Sequence, residues 1–130
     1  MNIKRFLEWI GLKEKLDSII HQAPHVSEGE IWWASIGENV GAEINGKSQD
    51  FSRPVIIFRK LAHGFYLVIP TTTKIKSGTW YVKFREKNLE VCACLHQLRS
   101  IDYRRLHRRL GELEHVDFEQ IKIGFKNLYH

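Results

Sequence analysis

Apolar and polar positions follow two different periods along this chain. From Ile3 to Ile20 the residues Ile3, Phe6, Leu7, Ile10, Leu12, Leu16, Ile19 and Ile20 recur mostly at intervals of three and four, the apolar stripe of a helix. Gly11 divides or bends this segment, Pro24 ends it, and residues 25–30 read as a linker. From Glu30 the period becomes two. Glu30–Ile36 predicts a first strand, with Trp32, Ala34 and Ile36 on one face and Ile31 and Trp33 on the other. A glycine-rich polar stretch follows and ends at Ser52-Arg53-Pro54. Strands are then predicted at Pro54–Arg59 and Phe65–Ile69, joined at Ala62-His63-Gly64, and at Thr79–Phe84 and Leu89–Leu95, joined at Arg85–Asn88. Near the C-terminus, Asp117 and Gln120 suit a capping box, Val116 and Ile121 its staple, and Phe118, Ile121, Phe125 and Leu128 one helical face. The expected fold is mainly β with helices (α+β): a small antiparallel barrel over residues 28–130, with an N-terminal helical extension over 1–24 and a C-terminal helix.

Composition narrows this little. A chain of 130 residues, 43% of them apolar and 27% charged, fits one ordinary globular domain. Lys and Arg outnumber Asp and Glu by 20 to 15, for a net charge of +5, which favours an anionic partner without requiring one. Cys92 and Cys94 lie two apart, on one face of a strand, where a mutual disulfide is disfavoured and small buried residues are expected. His96 continues their alternation, but zinc would need further ligands. The apolar runs are too short to span a bilayer, and charges interrupt the N-terminal stretch, so a cytoplasmic protein without membrane attachment is expected. Phe6 and Trp9 could mark a membrane-surface face, but Glu8, Glu14 and Asp17 favour plain packing.

Three stretches carry candidate chemistry. Arg53 stands where the polar stretch meets an apolar strand; Pro54 fixes the backbone behind it, so its guanidinium could face solvent and receive a phosphate. An arginine there is also commonly a solvated charge. Pro70-Thr71-Thr72-Thr73-Lys74 gathers three hydroxyls and a lysine where the chain leaves a strand, although threonine suits strand ends in any case. Residues 96–113 interleave Arg99, Arg104, Arg105, Arg108 and Arg109 with Leu98, Ile101, Tyr103 and Leu106. That pattern suits a nucleic-acid backbone, and equally a solvated helix turn or pairing with Glu112 and Glu114.

Taken in order, GEIWWASIG, VGAE, SRPVIIF, VIPTTTK, HQLRSIDYRRL and RLGEL resemble the MazF/PemK toxins, over Gly29–Leu128. The resemblance implies an SH3-like barrel and a homodimer that cleaves single-stranded RNA without metal or other cofactor and is neutralised by a cognate antitoxin. Carried over by motif, the catalytic arginine falls on Arg53 and the catalytic threonine on Thr72, with Thr71 or Thr73 next in register. Glu43 of Gly41-Ala42-Glu43 is a weaker catalytic candidate. Substrate contacts fall on Gly41, Ser52, Thr71, Thr73, Lys74, Gln97 and Arg99. Two departures stand out: a longer segment between Glu43 and Arg53, and Gly29-Glu30 where aspartate is usual, an exchange expected to be neutral.

Such cleavage uses the RNA's own 2′-hydroxyl as nucleophile, so the enzyme must move protons and stabilise a crowded phosphorane. Arg53 suits the charge and, as a guanidinium that stays protonated, is a poor base; Thr72 can orient through its hydroxyl. Glu43, His63 and His96 are alternatives for the base. Trp33, Phe51, Trp80 and Tyr103 are candidates for stacking on bases. The competing reading is a non-catalytic toxin or nucleic-acid-binding module on the same barrel, such as one that grips a topoisomerase.

Overall fold

The computed structural model describes residues 24–37 and 52–129. The helix expected over 1–24 and the stretch holding Gly41, Glu43 and Phe51 lie outside them, Pro24 excepted. Among the described residues seven strands run in chain order: β1 (Glu30–Ser35), β2 (Ser52–Ala62), β3 (Phe65–Thr72), β4 (Tyr81–Glu86), β5 (Leu89–Cys94), β6 (Arg99–Asp102) and β7 (Leu106–Glu112). One helix follows, α1 (His115–Leu128). Short 3-10 turns at Leu95–Gln97 and Tyr103–Arg105 flank β6.

All pairings are antiparallel, in the order β4-β5-β3-β2-β1-β7, with β6 added beside β3. β3 is the hinge of this arrangement. It pairs with β2 over residues 65–70 and with β6 over residues 65–68, and at Thr71 and Thr72 it pairs with Ala93 and Cys92 of β5. Alternation then sorts the core into two clusters. Trp32, Ala34, Ile36, Val55, Ile57, Tyr66, Val68 and Ile101 form one. Ile31, Ile56, Phe58, Ile69, Phe84, Val91, Ala93, Leu95 and Ile121 form the other, which Phe118, Phe125 and Leu128 of α1 help to cover.

Local chemistry accounts for the turns. Lys87 and Asn88 both have positive φ (48° and 67°), as a tight two-residue hairpin matched to the strand twist requires. Gly64 has φ 77°, and a Cβ there would lie 2.9 Å from Tyr103 Cδ1, so both backbone and packing call for glycine.

Three expectations are corrected. The barrel does not close: the end strands β4 and β7 form no ladder with each other. Side chains fill in there instead, with Leu110, Leu113 and the α1 aromatics packed on the second core cluster. The capping box at Asp117 is not formed. Phe118 N–H already donates to Glu114 O at 3.0 Å, so the helix starts at His115 and Asp117 lies inside its first turn, where its charge favours the helix dipole. Val116, at 68% exposed, makes no staple. The arginine-rich stretch forms β6 and β7 in place of a helix turn, while the expected pairing with Glu112 is made by Arg109 at 3.6 Å.

Glu30, whose presence in place of aspartate was expected to be neutral, is a buried junction. Its carboxylate accepts from Ser27 N–H (2.7 Å), Trp32 Nε1 (3.1 Å) and Arg109 Nε (2.7 Å). Burial pushes its pKa up, but the hydrogen bonds from Ser27, Arg109 and Trp32 and the Arg109 charge outweigh this, and the net shift is downward.

Candidate active site

Arg53 and Thr72 come together because β2 and β3 are antiparallel. Val55 pairs with Pro70, and continuing that register by two residues sets Arg53 against Thr72. Both side chains fall on the face of Val55, Ile57 and Val68, at the end of the first core cluster. β5 extends this face, since Thr72 pairs with Cys92, and Cys94 lies two residues on. The site is thus a polar edge to an apolar floor.

The guanidinium of Arg53 is buried, with 8% of the residue exposed, rather than facing solvent. Its Nη1 donates to Thr71 O at 3.0 Å, which aims the planar group along the β3 edge. Burial pulls the arginine's pKa down, and the nearby Cys94 raises it. The reciprocal effect is visible at Cys94: burial pushes the thiol up, against the pull of Arg53, to about 11. Cys94 is therefore a neutral neighbour at physiological pH. A cation that has lost hydration in this way gains from an incoming anion.

The threonine run divides by role. Thr71 Oγ1 donates to Pro54 O at 2.9 Å, so this hydroxyl stitches β3 to β2. Thr72, 6% exposed, has an Oγ1 that accepts from Lys74 N–H at 3.2 Å. Thr73 and Lys74 are exposed. The geometry thus places Thr72, not Thr71, on Arg53's face.

The other candidates divide between this face and elsewhere. Ser52 is fully buried on the opposite face, 3.4 Å from Ser35 Oγ, which in turn bonds His107 Nε2. Arg99 pairs with Val68 and so lies on the face of Arg53, and its Nη1 donates to Ile36 O at 2.8 Å, which secures the end of β1. Gln97 is half-buried in the 3-10 turn after β5. His63 stands at the far end of the β2–β3 hairpin, ten residues along β2 from Arg53, on the order of 30 Å at strand rise. That separation removes it as a base for chemistry at Arg53. Trp33 faces away from Arg53, and Tyr103 packs at the Gly64 end of the sheet.

Lys76 was not singled out in the sequence, and the structure brings it in. Its backbone carbonyl accepts from Cys92 Sγ at 3.9 Å, its ammonium lies 5.9 Å from the centre of the Tyr81 ring, and its charge is felt by Cys94 and His96. His96 stacks on Trp80, with ring centres 4.9 Å apart, and meets Tyr81 edge-on at 5.2 Å. Burial and the Lys76 charge lower its pKa, opposed by a hydrogen bond to the Trp80 backbone, and the net shift is downward. No group of three or more His, Cys, Asp or Glu side chains among the described residues is placed to hold a metal ion.

Residues 27–129 match the model of the PemK-like, MazF-like toxins of type II toxin–antitoxin systems. The chain belongs to this family. Solved structures agree on the fold. MazF (Form-I) from Deinococcus radiodurans has a TM-score of 0.67 and 20% identity, over 81% of this chain and 97% of that one. An endoribonuclease in complex with its cognate antitoxin from mycobacterial species has a TM-score of 0.63 and 13% identity, over 79% and 93%. Mycobacterium tuberculosis toxin MazF-mt6 has a TM-score of 0.59 and 19% identity, over 77% and 95%. No curated protein matches the chain significantly. Among the described residues no helix is long and apolar enough to cross a membrane.

Proposed function

We propose that this member of the family is a sequence-selective endoribonuclease that cuts single-stranded RNA without a metal, acts as a homodimer in the cytoplasm to inhibit translation and growth, and is neutralised by a cognate antitoxin. The observation that carries the reading is the desolvated Arg53 guanidinium, anchored on Thr71 O beside Thr72, in a chain whose family and fold neighbours include an endoribonuclease with its antitoxin.

Attack of the 2′-hydroxyl on the adjacent phosphorus forms the new P–O bond. The P–O5′ bond then breaks, leaving a 2′,3′-cyclic phosphate and a 5′-hydroxyl. Arg53 supplies positive charge and oriented N–H donors to the phosphorane oxygens, a contribution that is large where water is excluded. The Thr72 hydroxyl orients the phosphate next to it. A general base takes the 2′-hydroxyl proton and the leaving 5′-oxygen takes one up; of the described base candidates, His63 lies at the far end of the β2–β3 hairpin and His96 is stacked on Trp80.

The test is to incubate a long single-stranded RNA with the protein in EDTA and map the ends. A few discrete sites with cyclic phosphate ends are expected, and a 2′-deoxy nucleotide at a mapped site should block cutting there. Intact RNA would turn the reading to a non-catalytic binder.

A further inference from the structure

We infer that the Trp80 indole, backed by His96, is a stacking platform for one unpaired base of the RNA strand; this rests on the chain being an RNA-cleaving enzyme. Trp80 leaves 52% of itself in water, an expensive position for the largest apolar side chain unless another ring covers it. The ring is nevertheless held. Trp80 O accepts from Leu95 N–H at 2.8 Å, which fixes its backbone against the end of β5. His96 lies nearly parallel to it at 28°, and Tyr81 braces His96 edge-on at 78°. A base stacking there would order a side chain that is already ordered, which keeps the entropic cost low.

The surroundings choose the ligand. The Lys76 ammonium over Tyr81 and the Arg53 guanidinium both act on the Cys94 thiol between them in the sheet, and cations so placed suit an anionic strand with flat bases. From β2 to β4 the path crosses β3 and β5, three inter-strand steps or about 14 Å. The stacked base therefore belongs to a nucleotide near the cleaved linkage rather than at it. Trp80 would then help set which sequence is cut, while Arg53 serves the chemistry.

The experiment measures binding of a short RNA that spans a mapped cleavage site and carries one 2′-deoxy nucleotide at the cut, by fluorescence anisotropy. Trp80→Ala should raise Kd by roughly 5- to 150-fold, the range for losing one base–aromatic stack, and Trp80→Phe should stay near wild type, showing that the loss follows the stacking face and not folding. An abasic residue at one position beside the cut should weaken wild type by a similar factor and leave Trp80→Ala unchanged. Cleavage and binding by wild type with no change in Trp80→Ala would overturn the platform alone. So would abasic losses that are equal in both proteins at every position. A wild-type protein that neither cuts nor binds RNA would overturn the nuclease reading and the platform with it.

Discussion

Gly124→Ala tests how closely α1 is seated on the sheet that carries the site. A Cβ at this position would lie 2.9 Å from Val82 Cγ2 and 3.1 Å from Leu95 Cδ1, too close for either to stay where it is. Val82 is β-branched and stiff at χ1, and Leu95 is fully buried. Alanine gains about 1 kcal/mol over glycine in a helix interior, whereas overpacking costs about 1–3 kcal/mol. The net expectation is a loss of about 1 kcal/mol, which for a chain of this size lowers Tm by about 3–5 °C. Calorimetry, with urea denaturation as a second probe, reads it directly. Ile121→Ala, on the same helix at a fully buried site, gives the reference loss of about 2–5 kcal/mol. A Gly124→Ala protein that melts a few degrees above wild type would refute the reasoning, because helix propensity would then outweigh the contact.

Glu30→Gln should cost about 1–3 kcal/mol at pH 7, as the charged acceptor of three donors is lost. Because the carboxylate pKa is lowered in the folded state, that stability is present above its ordinary value near 4.5 and fades as pH falls through the folded value, so the variant and wild type should converge in acid; a pH-independent gap in urea denaturation would contradict this. Thr71→Val should lose stability, about 1 kcal/mol for its bond to Pro54 O, with cleavage retained, whereas Thr72→Val should lose cleavage with stability nearly kept. The opposite pattern in paired melting and cleavage assays would move the site by one residue. Cys94, held protonated by a pKa near 11 and buried, should resist iodoacetamide at pH 8 until the protein is unfolded, as mass spectrometry of the labelled peptide would show.

The sequence revealed the elements whose apolar residues alternate cleanly. EIWWAS and the VIIF run within β2 announce strands, and Gly64 and Lys87-Asn88 announce their turns. β6 and β7 were hidden because arginines and a histidine occupy most of β7's exposed positions and two register shifts interrupt its pairing with β1. Whether the barrel closes depends on long-range packing at β4 and β7, which no local pattern encodes. At the candidate site, Arg53 and Thr72 were picked out by the motifs of the resembled family, and the pairing of β2 with β3 sets them side by side. Ser52 carries suitable chemistry too, but facing decides its role, and one residue's difference in a strand reverses the face; Arg99 pairs with Val68 and so shares the face of Arg53, where its bond to Ile36 O ties it to the end of β1. Lys76, Trp80 and His96 meet only after β4 has paired with β5, so their neighbourhood could not be read from spacing.

The most direct test of the account is the single-turnover rate of RNA cleavage by wild type and Arg53→Ala in EDTA, with circular dichroism confirming that both are folded. A fall of about 10²–10³ in rate is predicted, the usual cost of removing a donor that stabilises transition-state charge. A folded Arg53→Ala protein that cuts the same sites at the wild-type rate would contradict it.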